Sequence, residues 1–248
     1  MRTDVADLKS FYDTPLGQAA VRQIARKLAE FWPEMSGETV VGLGYAAPLL
    51  EAVLAEAKPD RAIALMPAEQ GAWGWPDSEP SLTALTAERQ LPLADRSADR
   101  IVMLHALEDA AELRPLLREV WRVLADSGRL IVIAANRRGL WHQAETKPFG
   151  HGRPYSRAQL RRVLKASLFV VEQEAHALYF PPSRRALGYW SADYLERIGG
   201  RWFGRFGGVV IADASKSLYG AAPTASGARA ARAANGVVEA PADMRERD

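Results

Sequence analysis

The residues best suited to hold a ligand lie in Val40-Val41-Gly42-Leu43-Gly44-Tyr45-Ala46-Ala47-Pro48. An apolar run ends there in small residues, and Pro48 suits the first turn of a helix. Small side chains at a strand-to-helix turn let a ligand approach the backbone closely. In open α/β sheets such turns border the crevice beyond the carboxyl ends of the strands. The same pattern also serves a tight turn with no ligand, so Gly42, Leu43, Gly44, Tyr45 and Ala46 are candidate binding positions and not a fingerprint.

Groups that could move protons are few. His105 follows the apolar run Ala98 to Leu104, where it could line a pocket or assist proton removal, or simply occupy a loop. Tyr155 lies in a later loop with His142, His151, Trp141, Phe149 and Arg153. His142 and His151 lack a third ligand at a suitable spacing, so no metal is expected. Glu108-Asp109 reads as negative charge at the start of the next helix. Trp73 and Trp75 could stack on a ring or cover a loop, and Tyr12 and Trp32 could belong to a lid or to the core. Arg137-Arg138 and Arg184-Arg185 could meet an anion or remain solvated. The chain has no cysteine, which excludes disulfides, thiol nucleophiles and thiolate metal sites.

These residues need a frame. Leu16, Ala20, Val21, Ile24, Leu28 and Phe31 recur at helical spacing behind Thr14-Pro15, an N-cap followed by proline. A short helix over 5–12 precedes it. Strands are expected at 39–43, 61–66, 81–86, 98–104, 129–135, 168–177 and 209–215. Helices are expected from Pro48 to Lys58-Pro59-Asp60, over 112–124, from the Ser156 cap onward, and over most of 183–206. Asp126-Ser127-Gly128 reads as a turn, and 67–80 as a loop. The alternation predicts an α/β fold: a doubly wound, Rossmann-like, seven-stranded sheet, mostly parallel with an antiparallel edge, and helices on both faces. Residues 1–36 form an N-terminal helical segment, lid or packing. Residues 37–219 form the main domain. The tail 220–248, rich in Gly, Ala, Pro and charge, is expected to be disordered.

Two further stretches carry a family likeness. Leu91, Pro92, Asp95, Ser97 and Asp99 occur in order before the fourth strand. Glu119, Arg122, Val123, Leu124, Gly128 and Leu130 lead into the fifth. With Asn136 and Tyr155-Ser156, they resemble the small-molecule branch of class I S-adenosylmethionine-dependent methyltransferases, over roughly 40–215. That likeness implies S-adenosylmethionine as cofactor and a small-molecule acceptor. It places Met66, at the end of the second strand, Glu88 and Leu91 around the adenosyl group with the Gly42–Ala46 turn and His105. His105 and Tyr155 become the first candidates for a catalytic base. The sequence departs from the family where an acidic residue would precede the glycines, since Gly42 stands there, and Ala46 and Pro48 replace two glycines. Met66-Pro67 stands where a carboxylate would bond the ribose, and losing such a bond costs about 1.5–3 kcal/mol. These departures keep open a second reading, a methyltransferase-fold binding or regulatory protein without catalysis. A nicotinamide-dependent enzyme explains the two later blocks less well.

Composition narrows the partners. The 248 residues carry a net charge of +2, which gives no signal for nucleic acid. No apolar run approaches the roughly 20 residues that span a bilayer. A cytoplasmic protein is expected. The sequence does not indicate an oligomeric state.

Overall fold

Strands form where β-branched and apolar residues run together, and their side chains alternate between two cores. In the computed structural model, which describes residues 2–77, 80–144, 147–182, 189–202 and 204–217, the strands are β1 (Thr39–Gly44), β2 (Arg61–Pro67), β3 (Thr83–Thr86), β4 (Ala98–Leu104), β5 (Leu124–Ala135), β6 (Phe169–Ala177) and β7 (Val209–Lys216). They make one sheet in the order β3-β2-β1-β4-β5-β7-β6. The first five in that order pair in parallel; β7 runs antiparallel to both β5 and β6 and lies one place in from the edge.

The helices are α1 (Val5–Tyr12), α2 (Pro15–Phe31), α3 (Ala47–Ala57), α4 (Leu113–Val123), α5 (Arg157–Ala166) and α6 (Tyr189–Trp202). Along β5, Ile131, Ile133 and Ala135 point into one core with α1, α2 and α3, whereas Leu130, Val132 and Ala134 point into another with α4 and α5. The doubly wound arrangement therefore has a buried layer on each face. Two caps match their sequence signals. The Thr14 side chain accepts from Gly17 N, and Ser156 forms a reciprocal capping box with Gln159.

The expected turn at Asp126-Ser127-Gly128 is not a break between elements. Strand β5 begins directly at Leu124, with Ala98 opposite it, and the pairing resumes at Arg100 and Arg129 after a register shift. The turn signal is absorbed as an irregularity inside the strand. Lys216 holds this entry by donating from Nζ to Leu124 O at 3.0 Å. The expected helix over 183–206 is observed as α6, its first six residues lying outside the described ones, as does the tail 220–248.

One polar network positions the loop between β3 and β4. Arg122 on α4 donates to Leu91 O, Leu93 O, Asp95 and Glu119, while Glu119 Oε2 accepts Leu91 N–H at 2.9 Å. Asp99 accepts the N–H of Thr39 at 2.8 Å. The two family-like blocks thus meet in space, and their charged residues serve as a clamp between α4 and the loop. Arg122→Met should cost about 2 kcal/mol of stability, because it strands two backbone carbonyls and a half-buried carboxylate. Urea unfolding checks this, and a change below about 0.5 kcal/mol would show that the clamp carries no weight.

Candidate functional site

The sheet reverses direction of winding between β1 and β4, so the crevice lies over their carboxyl ends. Gly44 makes the exit from β1 with φ +85°, and a Cβ there would stand 2.2 Å from Leu104 O. Glycine is required both by the left-handed backbone and by this contact. Tyr45 N–H donates to the same carbonyl at 2.9 Å, which ties the turn to the end of β4. Gly42 is closed in differently: an added Cβ would lie 2.7 Å from Leu50 Cδ1 and 2.9 Å from Ala46 Cβ. Leu50 and Ala46 thus fill the space that an acidic side chain at position 42 would need.

The N-terminal segment crosses this end of the sheet. Arg2 forms a buried ion pair with Glu88, whose other oxygen accepts Ala111 N–H. Val5 N–H donates to Gln70 O at 2.8 Å. At the end of α1, the Tyr12 hydroxyl lies 2.7 Å from His105 Nε2. Its ring stacks on Tyr45, with centroids 5.6 Å apart. Phe11 meets Trp141 edge-on, and Trp141 in turn meets Phe149 and Phe180. Tyr12, Tyr45 and Met66 are all buried. All three line a cavity of about 370 Å³ beside the turn, with Ala47, Pro48, Trp73 and Trp75.

Burial also sets the charge states. His105 is held at about 3 by desolvation and by His151 nearby, so its imidazole is neutral and a weak base in this arrangement. Burial, with Glu108 close by, pushes the Tyr12 hydroxyl well above its ordinary value. The sequence reading of Glu108 as a helix-capping charge is corrected. Helix α4 begins at Leu113 behind Glu112, whereas Glu108 is buried beside β5, its Oε1 accepting Ala135 N–H at 2.8 Å. Its Oε2 has no partner. Desolvation outweighs the backbone bonds and raises the carboxyl to about 7. Glu108 and Arg2 are the two site residues that sequence reasoning missed. A glutamate beside an aspartate reads as surface charge, and a single arginine at a terminus carries no pattern.

Gly44, Tyr45, Ala46 and His105 are thus adjacent, and Gly42 and Leu43 lie in the strand beneath them. Met66 sits at the end of β2 and accepts Trp73 N–H on Sδ at 3.4 Å. Leu91 is buried in the core of the opposite face. Tyr155 pairs through its backbone with Ala135 and Arg137. Burial raises its hydroxyl, with Glu108 adding to the effect. His142 and His151 do not form a metal cluster with other residues among those described.

The family model described as "Methyltransferase domain" matches residues 22–132. Over that stretch, less than half of the chain, the sequence is similar to a methyltransferase domain. Solved structures agree with this fold. A S-adenosylmethionine-dependent methyltransferase of Thermotoga maritima, described as a possible histamine N-methyltransferase, is 17% identical, with 86% of this chain and 96% of that chain covered and a TM-score of 0.59. A S-adenosylmethionine-dependent methyltransferase of Aquifex aeolicus is also 17% identical, with 86% and 98% covered and a TM-score of 0.56. The geranyl diphosphate C-methyltransferase of Streptomyces coelicolor, in complex with Mg²⁺, geranyl diphosphate and S-adenosyl-L-homocysteine, is 16% identical, with 78% of each chain covered and a TM-score of 0.52. No curated protein matches the chain.

The chain keeps the frame of these folds, but the end of its crevice is built differently. No carboxylate ends β2, Leu50 closes position 42, and Tyr12 stacks on Tyr45 beside the turn. Buried polar atoms without partners gather at the same end of the sheet: both amide atoms of Gln70, Nε and Nη1 of Arg2, and Oε2 of Glu108. Such atoms cost free energy unless something bonds them.

The two buried titrating groups act oppositely on stability. The lowered pKa of His105 gives stability that is present above pH 6.5 and lost as pH falls toward 3. The raised pKa of Glu108 gives stability that is present below pH 4.5 and lost as pH rises through 7. Glu108→Gln removes only the second slope. Its stability relative to the parent should climb by on the order of 3 kcal/mol between pH 4 and 8. Denaturation at a series of pH values checks this, and parallel curves would mean that Glu108 titrates as an exposed glutamate.

Proposed function

We propose that this protein transfers a methyl group from S-adenosylmethionine to a small-molecule acceptor in the cytoplasm, with its N-terminal helical segment, residues 1–36, serving as a lid over the main domain, residues 37–219. The observation that carries this reading is the Gly44 turn at the switch point, with buried and unpartnered polar groups beside it. An adenosyl group is rich in hydrogen-bonding atoms and could meet Gln70 and the free nitrogens of Arg2 once α1 moves. The residues proposed to line it are Gly42, Leu43, Gly44, Tyr45, Ala46, Met66, Glu88, Leu91 and His105.

The acceptor would lie on the side of His105, Glu108 and Tyr155. The loop after β5 closes that side with Trp141 and Phe149, both fully buried. A site built there among buried aromatic side chains would suit a small molecule better than a macromolecular surface. With Tyr12 withdrawn, His105 loses a buried neighbour and regains solvent, which raises its basicity toward the ordinary histidine range. His105 and Tyr155 remain the proposed bases, with the free oxygen of Glu108 as a third candidate. No helix among the described residues is long and apolar enough to cross a membrane.

The closed position 42 and the missing carboxylates favour the second reading, a methyltransferase-fold binding or regulatory protein without catalysis. Calorimetry with S-adenosylhomocysteine separates the two. If α1 must open, the observed affinity is reduced by the fraction of molecules that are open. Tyr12→Phe removes the bond to His105 and should tighten binding about tenfold, within the strength of one buried hydrogen bond. Equal affinity in parent and variant would remove the lid. No binding by either at millimolar ligand would remove methyl transfer.

A further inference from the structure

The end of α6 and the turn after it carry large apolar side chains in solvent. Trp202, the last residue of α6, is 74% exposed, and Phe206, beyond the turn, is 56% exposed. Leu140, on the loop after β5, is 55% exposed. That loop lies against the turn, since a Cβ added at Gly139 would stand 2.5 Å from Gly207 O. Single apolar residues scattered over a surface are ordinary, but three on two adjoining segments mark a contact region. The turn is held in place from below. Asn136 Nδ2 donates to Arg205 O at 3.0 Å and to Gly207 O at 2.7 Å, and the Tyr179 hydroxyl donates to Gly204 O at 3.2 Å. The two aromatic residues are thus presented from a fixed backbone.

The charge around them has one sign. Arg201 precedes Trp202, Arg205 precedes Phe206, and Arg137 and Arg138 come shortly before Leu140. All four arginines are exposed, and none makes a side-chain ion pair or hydrogen bond with another described residue. The acids of α6 are engaged elsewhere. Asp193 accepts from Gln23 and Arg26, and Glu196 accepts the N–H groups of Leu178 and Tyr179. A partner for this face must carry negative charge and also take up apolar groups that stand singly. A protein would need a separate pocket for each such anchor. The headgroup layer of a lipid surface needs none: its phosphates draw arginine, and Trp, Phe and Leu rest at its boundary with the acyl chains.

We propose that the end of α6, the turn after it and the adjoining loop dock on an anionic phospholipid surface. Trp202, Phe206 and Leu140 enter the headgroup boundary, and the arginines meet lipid phosphates. None of these residues belongs to the N-terminal segment or to the proposed cofactor lining. Docking goes beyond methyl transfer, and its test uses no cofactor.

The full chain is mixed with vesicles of phosphatidylcholine alone, or of phosphatidylcholine with phosphatidylglycerol, and bound protein is measured by co-sedimentation. Binding should require phosphatidylglycerol and fall as salt is raised. Arg201→Gln combined with Arg205→Gln should weaken it about twentyfold, at about fivefold for each charge. Trp202→Ala should weaken it about tenfold. Arg114→Gln combined with Arg118→Gln, on α4 at the opposite face of the sheet, should leave it unchanged. Brominated lipid in the bilayer should quench the tryptophan fluorescence of the parent, and Trp202→Phe should abolish that quenching. The altered residues are exposed, so the variants keep the fold, which circular dichroism checks. Equal binding to the two vesicles or none to either, an equal loss in the α4 variant, or quenching that persists in Trp202→Phe would each overturn the proposal. So would binding to polyglutamate that matches vesicle binding and falls with Trp202→Ala, which would give the face to an acidic protein. A dimer in sedimentation velocity that Trp202→Ala breaks would overturn it in favour of a second copy of the chain.

Discussion

The buried contact between the Tyr12 hydroxyl and His105 Nε2 decides the state of this molecule. At 2.7 Å and away from water, it satisfies two polar groups that would otherwise be costly to bury. It brings the end of α1 onto the carboxyl ends of β1 and β4, the one place in the sheet where a crevice must form. It also keeps His105 neutral, because a charged imidazole there would have neither solvent nor a carboxylate partner. Closure and protonation state are therefore two consequences of the same burial.

The frame beneath is held by different forces. Strands β1, β4 and β5 are apolar on both faces, and their order is secured by continuous backbone pairing. Arg122 and Glu119 fasten the adjoining loop to α4, and Lys216 fastens the irregular entry to β5. The N-terminal segment, in contrast, reaches the crevice through a few separate bonds, from Arg2, Val5 and Tyr12. Local opening draws on regions with few such ties. The sheet is thus tied more firmly than the segment that crosses it, and Arg2, Gln70 and Glu108 hold buried unpartnered polar atoms at the seam between them.

Charge is handled in the same two ways. Glu108 is buried with one oxygen bonded and one free, a state tolerated because the carboxyl can take up a proton. Lys9 keeps its charge, at the surface, by sharing it between Asp13 and the face of Trp73. One is a group whose protonation answers to solvent access. The other is a cation held at the surface of α1.

Most of the frame was legible in the sequence because it rests on local regularities. Helical spacing from Leu16 to Phe31, the caps at Thr14 and Ser156, and the apolar runs at Val40 and Ile131 each report on residues close in the chain. In the stretches Leu91 to Asp99 and Glu119 to Leu130, which carry the family likeness, Leu91, Asp95, Glu119 and Arg122 bond to one another. Gly44 could be singled out because its backbone conformation excludes other residues. Arg2 meeting Glu88, Tyr12 meeting His105 and Glu108 reaching Ala135 could not be read, since each joins segments far apart in the chain and leaves no periodic trace. Whether the turn after β1 stands open or covered is a matter of where α1 packs, and only the tertiary structure, through burial of polar groups that must find partners, determined that.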